Sequence, residues 1–337
     1  MYCVDLSQLT DDSKTVAKLE PLSMSASRQS PFNLVPEVAL LQPLPEHWQK
    51  RFADALTLMH QDWQQPRSWQ EIANASAISP SHFHRQFTEL FHETPGQYLA
   101  RLRLQHAVNL LLSQEQHSVT DVAHACGFSS SQALAKALKR ELGISAKTIR
   151  QMAEHATPHE TAELIAKLAH PSPQHSLETE LVQAMPTELV WYPARGMKKL
   201  TLANPDWDNV IAIYGEKSRR LLSATPIAQL DNPWQQIETF IGDGQTEQNQ
   251  HDFTLPEGYY LCAEVHLASD VAYSAALDAL FAIAARKQLE IDQNAFLLEF
   301  VRDVELTPTG GATFSFQLPV LAETLAQSKM ESGGAKS

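Results

Sequence analysis

The chain has 337 residues, 43% of them hydrophobic, and carries 26 Lys and Arg against 39 Asp and Glu for a formal net charge of -13. That length suggests two folded domains of roughly 100 to 200 residues. No run of about 18 apolar residues and no basic segment leading into an apolar one is present, which argues against a membrane span, an export signal and a membrane partner. Cys3, Cys126 and Cys262 are too far apart for a metal-ligand spacing or a disulfide framework, so the expectation is a cytoplasmic protein with no metal and no cofactor. The charge is unevenly spread: residues 1–44 net -2, residues 45–150 net +2 and residues 151–337 net -13. Only the middle segment is suited to phosphates, whereas the last suits a cation or a basic partner.

Residues 1–44 are polar, rich in Ser, Leu and Pro, and without a sustained period, which predicts a mobile arm. The run EHWQKRFADALTLMHQDW then predicts an amphipathic helix with Trp48, Phe52, Ala55 and Met59 on one side. From Trp69 to Arg150 one local pattern occurs twice. Ile72, Ala73, Ile78, Phe83, Arg85, Phe87 and Phe91 return as Val122, Ala123, Phe128, Leu134, Lys136, Leu138 and Leu142. Each copy is a short amphipathic stretch, a turn (AIS, then GFS) and a second stretch with apolar residues four apart, which predicts two helix-turn-helix units. Between them, PGQYLARLRLQHAVNLLLS predicts one longer helix fixing the two units relative to each other. Gly143 suits the left-handed turn that ends the second recognition helix, a position His92 takes in the first copy at some strain.

The runs SPSHFHRQF, PGQYLARLRLQHAVNLLL and DVAHACGFSSSQALAKALKRELGISA resemble the DNA-binding domain of the AraC/XylS family of bacterial transcription regulators. The resemblance covers residues 45–152 and implies an all-α domain whose second helices enter successive major grooves, about 34 Å apart. It carries DNA contact onto Ser81, His82, His84, Arg85, Ser131, Gln132 and Lys136. Among these, Arg85 has the chemistry to read guanine, Gln132 to read adenine, and Lys136 to meet a phosphate or guanine. Ala133 and Ala135 leave little else on the second helix for direct readout, so specificity is expected to lean on the first unit or on DNA shape. With both units on one chain, binding to double-stranded DNA as a monomer is expected, and RNA polymerase is a further partner open to such a regulator.

Residues 153–186 hold four prolines and a short helical pattern at Thr161 to Ala169, and read as a linker. His155, His159, His170 and His175 lie there and read as solvated linker histidines rather than a metal site. Residues 187–321 change character to an α+β pattern of two strand-helix-strand-strand halves, with helices on one face of a sheet. ELVWYPARGMKKLTL, PIAQLDN and WQQIETFIGD are the strands of the first half, around a helix at DWDNVIAIYGEKSRRLL. GYYLCAEVHLA, AFLLEFVRD and ATFSFQLPV are those of the second, around a helix at DVAYSAALDALFAIAARKQ. Period two places Tyr259, Leu261, Ala263, Val265 and Leu267 beneath the helices, and Tyr260, Cys262, Glu264 and His266 on the other face.

This part resembles the GyrI-like domain in element order, in the LPEGYYL entry to a strand and in the closing FSFQLPV. The resemblance implies a small-molecule effector between two halves, a lipophilic cation in many members, held by aromatic walls and a buried carboxylate. Ser315 stands where many members have a glutamate on the last strand. Glu264 and Glu299 are the alternatives, with Trp191, Tyr192, Tyr260, Phe296 and His266 as candidate wall or rim. No nucleotide-binding glycine loop, HExxH or GxSxG occurs, so no catalytic residue and no enzyme is expected. Two readings of the acidic domain stay open beside the sensor: a protein–protein interaction module, and a hydrolase-like enzyme tethered to the DNA-binding domain. Residues 322–337 read as a disordered tail.

Overall fold

The computed structural model describes residues 30–61, 67–113, 117–202, 205–307 and 309–321. The expected arm up to residue 29 and the expected tail from 322 lie outside these.

The helical part begins earlier than expected. Phe32–Asn33 forms strand β1, Pro36–Leu41 helix α1 and Glu46–Met59 helix α2. The first helix-turn-helix follows as α3 (Trp69–Ala75) and α4 (Pro80–Phe91), then the connecting α5 (Pro95–Leu112). The second is α6 (Val119–Ala125) and α7 (Ser131–Glu141), with α8 (Ala146–His155) behind it. Helix starts are chemically specified: Ser68, Thr94 and Ser118 each accept from the backbone of a Glu, Gln or Asp three residues on, whose side chain bonds back. His92 ends α4 at φ 56 and Gly143 follows α7 at φ 76, both in the left-handed region. In the first turn Ala77 is also left-handed at φ 55, where the second copy has Gly127 at φ 70.

Each unit closes around its own core. Phe52, Phe83, Phe87, Phe91 and Tyr98 form the first, with the Phe87 and Phe91 rings stacked at 4.1 Å. Leu134, Leu138 and Leu142 anchor the second. Helix α5 belongs to both, giving Tyr98, Leu99 and Leu102 to one and Leu104, Ala107, Val108 and Leu111 to the other.

Residues 30–44 are not an arm. Backbone pairing of β1 with a sheet strand (Phe32 opposite Val265) buries Leu34 completely in the sheet core, and Pro36 opens α1. Residues 153–186 are packed rather than a free connector: the expected helical pattern forms α9 (Pro158–Ala166), and a second helix, α10 (Leu177–Leu181), follows. Leu164 and Leu168 complete the second helical core, while the Trp234 indole donates to Thr161 Oγ1 at 2.8 Å.

The C-terminal domain runs β2 (Glu188–Tyr192), β3 (Arg195–Lys199), α11 (Trp207–Tyr214), β4 (Leu221–Pro226), β5 (Phe240–Asp243) and β6 (Phe253–Leu255). It continues with β7 (Gly258–Leu267), α12 (Asp270–Arg286), β8 (Phe296–Val304) and β9 (Ala312–Val320). Pro193 and Ala194 split the first expected strand in two, and the next strand is LLSATP rather than PIAQLDN. The second segment expected as a strand, WQQIETFIGD, contributes only its last four residues, the start being a 3-10 turn. The strand order is β1-β7-β9-β8-β4-β5-β3-β6, with β2 also on β7; all pairs are antiparallel except β1 with β7. One face carries Leu261, Ala263, Val265, Phe314 and Phe316 beneath α12. The other carries a second cluster of Met197, Leu222, Leu255, Tyr260 and Leu298. No helix among the described residues is long and apolar enough to cross a membrane.

Candidate functional site

Two places in the molecule bring together residues with recognition chemistry. The first is the outer face of the recognition helices. On α4, Phe83, Phe87 and Phe91 face the core, which turns Ser81, Arg85 and Glu89 outward. His82 and His84 are half-buried rather than free: His82 packs on Trp48 at 4.9 Å and His84 on Trp69 at 5.3 Å. His82 Nδ1 lies 3.3 Å from Arg85 Nη2, so the histidine braces the guanidinium. On α7, Gln132 and Lys136 are exposed and Ser131 is partly so, joined by Lys139 and Arg140 in the last turn. Neither cation is visible in the repeat, since Lys139 and Arg140 have no basic counterpart in the first copy.

The second place is a cavity of about 630 Å³. One wall comes from α1, α2 and α5; the other from α11, the end of β7, the start of α12 and the β8–β9 connection. Its carboxylates are Glu37, Asp208, Asp270 and Glu305, and no lysine or arginine lines it among the described residues. Burial, together with the nearby Asp208 and Asp206 charges, pushes the Asp270 carboxyl up to about 7. Trp207, Tyr273 and Phe314 form an aromatic wall, with the Trp207 and Tyr273 rings 5.4 and 5.8 Å from that of Phe314.

Behind that wall sits Glu299, on β8 where it pairs with β4, 5% exposed. Its Oε2 accepts from the Trp207 indole at 2.5 Å and the Tyr273 hydroxyl at 2.6 Å. Burial raises its pKa, opposed by those two hydrogen bonds, and no cationic group offsets it among the described residues. Such a carboxylate is left poorly compensated, a condition a bound cation relieves.

The structure separates the effector-site candidates. Glu299 points to the helix face, where Leu297 and Val301 flank it. Tyr192 and Tyr260 project to the opposite face and enclose the Arg195 guanidinium at 4.1 and 5.3 Å. Glu264 and Ser315 are register partners on that same face, away from Glu299. Trp191 is half exposed on the edge strand β2, Phe296 packs with Phe240 and Phe253 in the cluster around Tyr260, and His266, bonded to Thr313 at 3.1 Å, is one of the cavity-lining residues. The residues that surround Glu299, Trp207 and Tyr273, were missed; their signal is an aromatic in the first turn of each of the two helices.

A buried polar cluster joins the two parts of the chain. His170, 3% exposed, is not a solvated linker residue: its Nδ1 lies 2.7 Å from Glu178 Oε1 and its Nε2 2.9 Å from Glu37 Oε1. Burial pulls its pKa down, but the Glu37 charge and the hydrogen bonds to both carboxylates outweigh this and raise it to about 9. Glu37 is correspondingly held well below the usual carboxylate range, and also accepts from the Tyr98 hydroxyl at 2.8 Å. His155, His159 and His175 are exposed as expected.

Residues 72–152 match the helix-turn-helix domain family. Over 84 residues, 25% of this chain, the sequence is 40% identical to the HTH-type transcriptional activator RhaS of Escherichia coli strain K12 / DH10B. The chain spans about 30% of the length of the RhaS proteins it matches. Among solved structures, it is similar to an AraC-type transcriptional regulator from Chromobacterium violaceum, at 27% identity and a TM-score of 0.30, covering 32% of this chain and 96% of that one. It is also similar to SAV2435 bound to tetraphenylphosphonium, at 15% identity and a TM-score of 0.30, covering 41% and 96%. With two capped helix-turn-helix units and a family match across both, residues 72–152 form a domain of the helix-turn-helix family, followed in the same chain by a mixed α/β sheet domain.

Proposed function

We propose that the chain is a cytoplasmic, sequence-specific DNA-binding transcription regulator whose C-terminal domain, GyrI-like over residues 187–321, senses a lipophilic cation. Glu299 carries the sensing half: a buried carboxylate with aromatic donors and, among the described residues, no cation partner, beside a cavity whose lining includes Trp207, Tyr273, Phe314, Asp208 and Asp270, with the charge of Glu37 there already matched by His170. Ring faces attract an organic cation and the carboxylate supplies the counter-charge. Asp208 adds negative potential to the lining, and a bound cation would draw the proton off Asp270. On the DNA side, Arg85 and Gln132 read bases, while Lys136 meets the backbone, with the two recognition helices of one chain reaching an asymmetric site.

Calorimetric titration of the full chain with tetraphenylphosphonium tests the sensor. Saturable binding is expected, weakened at least tenfold, about 1.4 kcal/mol, by Glu299→Gln. Equal affinity of the variant would remove Glu299 from the site. Selection of DNA from a random pool at two salt concentrations tests the other half; a shared asymmetric site spanning two helical turns is expected. Retention without a common sequence, lost at the higher salt, would reduce the DNA contact to phosphate attraction.

A further inference from the structure

Glu299 and helix α5 are joined by a short run of contacts through the first turn of α11. The Trp207 indole donates to Glu299 Oε2, and the next residue, Asp208, accepts from the Asn109 side chain of α5 at 2.6 Å. Neighbouring residues on a helix point about 100° apart, so one turn of backbone holds a bond into the sheet and another toward the DNA-binding domain. We infer that ligand occupancy at Glu299 is communicated to the DNA-binding domain through Trp207, Asp208 and Asn109. The inference rests on the effector reading above.

Three features make this turn the mobile part. Helix α11 has eight residues and a single fully buried anchor, Val210, in a small cluster with Leu221 and Ile241. The facing helix α12 has 17 residues and buries Ala272, Ala276, Leu280, Ile283 and Ala284 in the main core. Both aromatic donors use the same carboxylate oxygen, so a cation drawn to the other oxygen of Glu299 turns the carboxylate and with it the bonded Trp207 indole. Moving that indole moves the backbone carrying Asp208.

The receiving element is placed to matter. Asn109 lies in the half of α5 that packs on the second unit, and the other half of α5 packs on the first. A changed pull on α5 therefore alters the spacing of α4 and α7, which the DNA reads. Coupling of this kind is a free energy and is reciprocal: the factor by which ligand changes DNA affinity equals the factor by which DNA changes ligand affinity.

The test uses the full chain, tetraphenylphosphonium as probe, and the DNA site the chain itself selects. Saturating probe is expected to change the wild-type DNA Kd at least fivefold, with the same factor appearing in probe affinity when DNA is bound. Asn109→Ala is expected to still bind the probe and the same DNA, yet at saturating probe to show less than a twofold response of DNA affinity. Asn109→Leu, which keeps the side-chain size, serves the same purpose if the alanine variant melts early. A full response in these variants, or a wild-type chain that binds the probe without any change in DNA affinity, would overturn the coupling route and leave the sensor reading intact. A wild-type chain that does not bind the probe would overturn both.

Discussion

Raising the pH should loosen the molecule at His170 before it affects the DNA-binding face. Both ring nitrogens of His170 have carboxylates as partners, at 2.7 and 2.9 Å. A neutral imidazole has one N–H and can donate to only one of them, so the geometry requires the imidazolium. With the pKa raised from 6.5 to about 9, the folded state holds a proton that the unfolded chain releases. This stabilisation is complete below pH 6.5 and is lost as pH rises from there to about 9. At about 1.4 kcal/mol per pKa unit, the loss is on the order of 3 kcal/mol. Urea unfolding of the wild type and of His170→Gln, followed by circular dichroism from pH 6 to 9.5, isolates it from other groups titrating in the range. The wild type should lose about 3 kcal/mol more than the variant. Parallel pH profiles, or an NMR titration of the His170 ring with a midpoint near 6.5, would refute the reasoning.

Two further outcomes concern the helical domain. Arg85→Ala should weaken binding to the selected DNA site by about 1 to 3 kcal/mol and relax the preference at one base pair; competition binding on single-base variants of the site reads both, and unchanged affinity would remove Arg85 from the interface. Ala77→Gly should stabilise the domain by about 0.5 to 1 kcal/mol, since relief of the left-handed alanine exceeds the added flexibility of the unfolded chain. A lower urea midpoint for that variant would show that the turn is not strained.

The double helix-turn-helix was readable because its signals are local. Phenylalanines or leucines four apart, a capping residue three before an acid or amide, and a turn between them lie within a few residues of one another. The strand faces of β7 were readable for the same reason, as Leu261, Ala263, Val265 and Leu267 do lie in the main core. Period two reports which residues share a face, though, and not what covers that face. Helix-free strands β3 and β6 supply Met197 and Leu255 to the cluster around Tyr260, filling the side on which Glu264 was a candidate. His170 was misread because its partner Glu37 lies 133 residues earlier. Strand β1, two residues long, is too short for alternation to register, and its place is set by the backbone of β7.

That two-residue strand changes what the helical part is in chain terms. The polypeptide enters the C-terminal sheet at Phe32, leaves it to build both helix-turn-helix units, and returns to the sheet at Glu188. Both departure and return are on the same strand, β7, with Phe32 opposite Val265 and Glu188 opposite Cys262. The DNA reader is thus an excursion from the sheet, held by its two ends like a handle, and not a bead on a string. A handle can rock about its two attachments but cannot swing freely or turn over. Cutting it away removes Leu34 from the sheet core and bares part of one edge of β7, so the sheet domain is incomplete when produced from residue 187 onward.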